Sequence, residues 1–103
     1  MQVAAIVVNY NDVETTLAQI ERLEALPSIA KVIVVDNNSS DDSRVRLKAR
    51  ACERVIFIQA KRNGGYGYGN NIGLSYAHEN HFDMALIANP DTYISEDVLK
   101  KMC

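Results

Sequence analysis

Four uninterrupted apolar runs divide this chain at nearly regular intervals. They begin 29, 23 and 29 residues apart: Val3–Val8, Val32–Val35, Val55–Ile58 and Met84–Ala88. Continuous rather than alternating apolar runs are typical of strands covered on both faces, as in a parallel sheet. The spacing matches βαβ units, in which a crossover of about a dozen or more residues joins two parallel strands. The sequence therefore predicts an α/β fold, with a mostly parallel sheet between two layers of helices.

The segments between the runs carry helix signals. Residues suited to begin a helix follow each run: Asp12, Ser40 or Asp41, Asn70 and Ser95. The first helix has apolar side chains that recur every three or four residues, as a half-buried helix requires: Val13, Leu17, Ile20 and Leu23. The predicted order is β-α-β-α-β-α-β-α, in one domain that covers residues 1–103.

Composition excludes several classes of protein. The 11 basic and 13 acidic residues give a net charge of −2, which provides no electrostatic footprint for nucleic acid, since that would need a basic face. No stretch approaches the roughly 20 apolar residues of a membrane span. The first residues lack the positive segment of a signal peptide, and the two cysteines are expected to be free thiols in a reducing compartment. We therefore expect a cytoplasmic location.

Polar residues collect directly after each apolar run, in four segments: 9–12, 36–41, 61–71 and 89–92. In a parallel sheet these βα loops share one edge, where open α/β sheets bind their ligands. The connections that lead into the strands are short and plain by comparison. This difference between the two edges of the sheet favours a ligand site over loops that only connect strands and helices.

Individual residues of these loops suggest a nucleotide, although each has a simpler alternative. Asp36 could accept hydrogen bonds from a base or a ribose hydroxyl, or it could cap the next turn. Lys61 and Arg62 could contact phosphate oxygens, or they could be a solvated pair before a turn. Asp91 could bind Mg²⁺ or Mn²⁺ bridged to a diphosphate. Alternatively, residues 89–91 could simply form a turn, since asparagine, proline and aspartate all favour turns. The glycine fingerprints of dinucleotide-binding folds and P-loops are both absent.

Taken together, four segments carry a family resemblance: Val7–Asn11, Val34–Asp41, Asn63–Gly73 and Asn89–Asp91. They resemble the N-terminal, nucleotide-sugar-binding half of family 2 glycosyltransferases with the GT-A fold, most closely the rhamnosyltransferase-like branch. The resemblance spans residues 2 to 102. It implies a three-layer α/β/α fold with strand order 3-2-1-4, a nucleotide-diphospho-sugar donor and a glycan or lipid-linked acceptor. It also implies a role in cell-surface polysaccharide synthesis, at the inner face of the membrane.

The resemblance assigns roles residue by residue. The residues implied in binding the nucleotide-sugar are Asn9, Tyr10, Asn11, Asp36, Arg62, Asn63, Asn71, Asn89 and Asp91. Asn9, Tyr10 and Asn11 would line the base and ribose, and Asp36 would contact the base. Arg62 and Asn63 match a segment near the base and diphosphate.

The metal-binding element of the family is only partly present. Asp91 matches its last aspartate and would bind the divalent cation, but its first position is Asn89, which adds no charge. Family members invert the anomeric carbon with a carboxylate base that lies well beyond this element. We therefore expect the base beyond residue 103, in a chain truncated at its C-terminus and inactive alone.

Two other functions fit parts of the pattern. A non-catalytic nucleotide-binding α/β module would use the same loops without a catalytic base. A flavodoxin- or receiver-like signalling domain would need an acidic pair after the first strand, which Asn9-Tyr10-Asn11 does not supply. Truncation would also leave the strand at Met84–Ala88 as an exposed edge, which predicts a homodimer or limited solubility.

Overall fold

The computed structural model describes residues 2–89, 95–97 and 101. Its strands and helices alternate as the sequence predicts. In chain order they are β1 (Val3–Asn9), α1 (Val13–Glu24), β2 (Ile29–Asp36), α2 (Ser43–Arg50), β3 (Val55–Gln59), α3 (Gly65–Glu79) and β4 (Met84–Ile87). Each predicted strand is confirmed, with small differences at its ends. Of the predicted fourth helix, Glu96, Asp97 and Lys101 are helical, and its other residues lie outside those described.

The four strands form one sheet in the order β3-β2-β1-β4, and every neighbouring pair is parallel. The predicted strand order is confirmed. All seven residues of β1 are buried. At its carboxyl end, Val8 pairs with Val35 and Asn9 pairs with Asp36. The loops that follow β1 and β2 therefore leave the sheet side by side.

Helices cover both faces of the sheet, so the predicted three-layer architecture is also confirmed. Alternate residues of β1 point to opposite faces, as the pleat of a strand requires. Val3, Ala5 and Val7 pack with α1 and α2, whose buried side chains include Ile20 and Leu47. The intervening residues of β1 pack on the other face, against α3.

The start of α3 differs from the prediction, because the helix begins at Gly65 rather than near Asn70. Glycine is a poor helix former, so its repetition here indicated a loop. Tertiary packing overrides that preference. A Cβ atom at Gly69 would lie 2.7 Å from Cγ1 of Val8, and one at Gly73 would lie 2.5 Å from Cγ2 of Ile6. These two glycines let α3 approach β1 closely.

The start of α2 also differs, because the helix begins at Ser43 instead of after Ser40 or Asp41. Asn11 Oδ1 accepts hydrogen bonds from the backbone N–H groups of Ser40 and Asp41, at 2.8 and 3.2 Å. Those groups are thereby held in the loop. Hydrogen bonding from Ser43 lowers the pKa of Asp41 below its ordinary value.

The first helix follows Asp12 as predicted, and the predicted apolar positions Val13, Ile20 and Leu23 are buried. The side chain of Asp12 makes no capping hydrogen bond. None of the helices within the described part of the chain is long and apolar enough to cross a membrane.

Candidate nucleotide-sugar site

A buried polar network joins the carboxyl ends of β1 and β2. Asn9 and Asp36 are 1% and 0% exposed, and Asn9 Nδ2 donates to Asp36 Oδ1 at 3.0 Å. Thr16 Oγ1 in α1 donates to Asn9 Oδ1 at 2.6 Å. Ser39 donates to both carboxylate oxygens of Asp36, through its hydroxyl at 2.6 Å and its backbone N–H at 3.1 Å. Every polar atom of the Asn9 and Asp36 side chains thus has a partner within the protein.

A second set of hydrogen bonds ties the loop after β1 to the loop after β2. Asn11 has a φ of +50°, and its backbone N–H donates to Ser39 Oγ at 2.9 Å. Its side-chain oxygen accepts from Ser40 and Asp41, as described above. Tyr10 lies between Asn9 and Asn11, so its backbone is held on both sides while its side chain stays 44% exposed.

A pocket of about 220 Å³ opens beside these loops, on the α3 side of the sheet. The loops after β1, β2 and β3 all contribute to its walls, together with the first turn of α3. Its lining residues are Val8, Tyr10, Asn37, Asn63, Gly65 and Tyr66. The exposed aromatic side chains of Tyr10 and Tyr66, with the buried amide of Asn37, suit a planar ring with hydrogen-bonding edges, which stacks on aromatic side chains.

The innermost polar side chain of this pocket is Asn37, which is 2% exposed. Its Nδ2 donates to Asn63 Oδ1 at 3.0 Å and to the Gly65 carbonyl oxygen at 2.9 Å. Its Oδ1 is buried and has no hydrogen-bond partner among residues 2–89, 95–97 and 101. Gly65 has a φ of +85°, which favours glycine at that position.

The alternation of side chains along β2 places Asp36 and Asn37 on opposite faces of the sheet. Val34 packs on the α1 and α2 face and Val35 packs on the α3 face. Asp36 therefore points back toward α1, and Asn37 lies on the α3 side with the pocket. Sequence reasoning missed Asn37 and Tyr66. The two-residue period of a strand could have indicated Asn37.

The remaining predicted residues in the described part of the chain are not among those that line this pocket. Arg62 places its Cζ 4.8 Å from the centre of the Tyr68 ring. Asn71 lines a separate groove of about 390 Å³ along α3 and β3. The backbone oxygen of Asn89 accepts a hydrogen bond from Gln19 Nε2 at 3.1 Å.

The predicted metal ligand, Asp91, lies outside the described residues. Within the described part of the chain, no group of three histidine, cysteine or acidic side chains gathers as a metal site would require. A metal role for Asp91 therefore stays a prediction, as do the ligand contacts of Asn9, Asp36 and Arg62.

A model of the family described as "Glycosyl transferase family 2" matches residues 4–103. The chain belongs to glycosyl transferase family 2. It is 30% identical, over 98 residues, to the low-salt glycan biosynthesis hexosyltransferase of Haloferax volcanii. That match covers 94% of this chain and 30% of the relative. The family resemblance seen in the sequence is confirmed, and a signalling domain of the receiver class is excluded.

A solved structure shows the same fold. The mannosyltransferase PcManGT from Pyrobaculum calidifontis, in complex with GDP-Man and Mn²⁺, superposes with a TM-score of 0.74 at 20% identity. The match covers 92% of this chain and 29% of that protein. This chain therefore spans less than a third of the length of each of these two proteins. Both names refer to hexosyl or mannosyl transfer, so the rhamnosyltransferase-like branch stays a prediction.

Proposed function

We propose that this domain binds the nucleotide-diphospho-sugar donor of a glycosyltransferase. The observation that carries the proposal is the pocket lined by Tyr10, Asn37, Asn63 and Tyr66 at the carboxyl edge of the sheet. It lies where open α/β sheets bind ligands, and its uncharged amide and aromatic lining suits a nucleobase. Membership of the family supports the same function, and so does the solved neighbour, which is in complex with GDP-Man.

The hydrogen-bonded network beneath the pocket gives the site its shape. Asn9, Asp36 and Ser39 fix the two strand ends, and Asn11 ties the adjoining loops together. The loop that carries Tyr10 is therefore ordered before any ligand arrives. Preorganisation of this kind lowers the entropic cost of binding. In this proposal Asn9, Asn11 and Asp36 position the site, whereas Tyr10 and Asn63 contact the nucleotide.

The diphosphate would extend from the pocket toward Arg62 and the segment 89–91. Arg62 is exposed beside Tyr68, and its guanidinium offers a planar set of donors for phosphate oxygens. Asp91 would bind Mg²⁺ or Mn²⁺, with Asn89 contributing an uncharged amide. A cation bound there supplies positive charge against the diphosphate leaving group. The Mn²⁺ in the complex of the solved neighbour supports this assignment.

We further propose that the whole protein is an inverting transferase. In that reaction an acceptor hydroxyl attacks the anomeric carbon as its bond to the diphosphate breaks, and a general base takes the hydroxyl proton. We assign no base within these 103 residues. Asp83, for example, accepts a hydrogen bond from the Gln2 backbone at the opposite edge of the sheet. Without a base, these residues alone would not transfer sugar.

The proposed substrate and location follow the family resemblance. The donor sugar would be rhamnose-like and the acceptor a glycan or a lipid-linked glycan of a cell-surface polysaccharide. The site of synthesis would be cytoplasmic, at the inner face of the membrane. A non-catalytic nucleotide-binding module would bind the same diphosphates, but the protein that contains it would transfer no sugar.

Calorimetric titration of UDP, dTDP and GDP, each with and without Mn²⁺, tests the proposal. We expect binding that strengthens with Mn²⁺, and we expect Asp91→Ala to lose that metal dependence. Glu53→Ala is the matched control, since Glu53 is an exposed carboxylate in the turn that precedes β3. Nucleotide affinity that is the same with and without Mn²⁺ would contradict the proposed cation site. Failure of all three diphosphates to bind would contradict the nucleotide site itself.

A further inference from the structure

We propose that Gln19 of α1 is a positioning residue for the diphosphate half of the donor site, because its side chain anchors the backbone where the chain leaves β4. The inference rests on the proposed function, in which the segment 89–91 lies beside the diphosphate. Gln19 is buried, and its Nε2 donates to the backbone oxygen of Asn89 at 3.1 Å. Gln19 would therefore act through Asn89 and not by touching the nucleotide.

Two polar side chains, one turn apart, interrupt the otherwise apolar buried face of α1. They are Thr16 and Gln19. Thr16 donates to Asn9 at the end of β1, whereas Gln19 donates to Asn89 just after β4. Burying an amide is costly unless it is hydrogen-bonded, and an apolar side chain would fill the same space without that requirement. Because β1 and β4 are neighbours in the sheet, this pair lets one helix hold two adjoining strand ends.

Arg22, which lies one turn further along α1, fixes the orientation of the Gln19 amide. Arg22 Nη2 donates to Gln19 Oε1, and a guanidinium has donors but no acceptor. A flipped amide would place Nε2 against this donor and Oε1 against the Asn89 carbonyl oxygen, so both hydrogen bonds would be lost. The partners of the amide therefore determine that its nitrogen faces Asn89.

The backbone of Asn89 is restrained from several sides at the point where the chain leaves the sheet. The preceding residue, Ala88, is buried, and its backbone N–H donates to the Ile6 carbonyl oxygen at 2.8 Å. The proline that follows in the sequence disfavours helical backbone angles for Asn89 itself. Gln19 holds the carbonyl oxygen. Asn89 is nevertheless exposed, so it is anchored from the core while it remains accessible to a ligand.

This arrangement means that separate contacts of α1 support the two halves of the proposed donor site. The base half lies at the ends of β1 and β2, where Thr16 supports Asn9. The diphosphate half begins at Asn89 and depends on Gln19. Charge-assisted hydrogen bonds to an anion depend on geometry, so a displaced backbone at Asn89 should weaken binding of the diphosphate. The contacts to the base should be unaffected.

NMR titration of the isotopically labelled chain tests the inference, at one fixed Mg²⁺ concentration. The ligands are UDP, dTDP and GDP, and the matching nucleosides uridine, thymidine and guanosine. For the base that binds most tightly, the nucleoside dissociation constant divided by that of the diphosphate measures the contribution of the diphosphate alone. We expect Gln19→Met to lower this ratio by about tenfold and to leave the nucleoside affinity within about twofold of the native value.

Two further variants keep the result interpretable. Glu21→Met is the matched control, because Glu21 is exposed on the same helix, and it should keep the native ratio. Gln19→Glu retains the size of the side chain and the acceptor for Arg22 but lacks the donor to Asn89. It should therefore also lower the ratio, even if Gln19→Met fails to fold.

A purely structural role for Gln19 would give a different result. It would lower both affinities by the same factor, because it would only reduce the folded fraction, and that outcome would overturn the inference. An unchanged ratio in Gln19→Glu would overturn it as well, since that variant lacks only the donor. Both outcomes leave the proposed function standing. A native chain that binds none of the six ligands would overturn both.

Discussion

Asn9 and Asp36 are partners in register at the carboxyl ends of β1 and β2, and the amide of Asn9 donates to the Asp36 carboxylate at 3.0 Å. Both side chains are buried away from water, so each provides a hydrogen-bond partner that water cannot provide to the other. Such pairs are stabilising only when every polar atom has a partner. Thr16 supplies the last hydrogen bond of the pair, which makes α1 part of the site.

Thr16→Val should therefore destabilise the protein. Valine has nearly the shape of threonine but cannot donate to Asn9 Oδ1, so a buried acceptor loses its partner at a cost of about 1–2 kcal/mol. Urea unfolding followed by circular dichroism measures this change. Thr15→Val is the matched control, because Thr15 is the preceding residue of α1 and is less buried. Equal losses in the two variants would contradict a role for the Asn9 contact.

The fold could be predicted from the sequence because its strongest signals are local. Continuous apolar runs such as Val3–Val8 indicate a strand covered on both faces, and β1 is buried throughout. The order of the strands came from the family resemblance rather than from the runs themselves. Neither the apolar runs nor the family resemblance depends on knowing which side chains are in contact.

The candidate site was predictable only in part, because its chemistry depends on which face each residue occupies. Asp36 stands out in the sequence as the charged residue that follows an apolar run. In the structure, however, its carboxylate accepts hydrogen bonds from Asn9 and Ser39. Its less conspicuous neighbour, Asn37, lines the pocket. The early start of α3 was missed because close packing at Gly69 and Gly73 cannot be seen in a single sequence.

The close contact of α3 with β1 predicts opposite effects for two glycine substitutions. Gly73→Ala would place a methyl group 2.5 Å from Cγ2 of buried Ile6, and overpacking of this kind costs about 1–3 kcal/mol. Gly67→Ala meets nothing within 4 Å and should stabilise the helix by about 0.5–1 kcal/mol. Thermal unfolding of both variants provides the comparison. Stabilisation by Gly73→Ala would show that α3 and β1 are not in close contact.

The thiol of Cys52 should react faster at neutral pH than an ordinary cysteine. Hydrogen bonding from the backbone of Arg54, with smaller contributions from Val55 and Arg50, lowers the pKa of this exposed group. A lower pKa raises the thiolate fraction, and the thiolate is the reactive form. The rate of iodoacetamide alkylation should therefore reach its half-maximum at a lower pH than that of glutathione.

The experiment uses the Cys103→Ser variant, so that only one thiol reacts. Arg50→Gln should move the half-maximum slightly upward, because it removes a nearby positive charge from the Cys52 thiolate. A profile for Cys52 that coincides with that of glutathione would contradict the prediction.

The edge of the sheet at β4 is expected to promote self-association of the chain. Met84–Ile87 pairs with β1 on one side, and among the described residues no strand pairs with its other side. Ile87 is 44% exposed on this edge. An unprotected edge strand can pair with a second chain, so light scattering over a concentration series should show a rise in mass toward a dimer.

Ile87→Lys should keep the chain monomeric at the same concentrations, because an edge lysine would have to be desolvated for a second strand to pair there. Val45→Lys is the matched control, since Val45 is a similarly apolar residue that is 70% exposed on α2. Association that survives Val45→Lys and is lost in Ile87→Lys assigns the contact to β4. A native chain that remains monomeric throughout would contradict the prediction, and loss of association in both variants would implicate general surface charge rather than strand pairing.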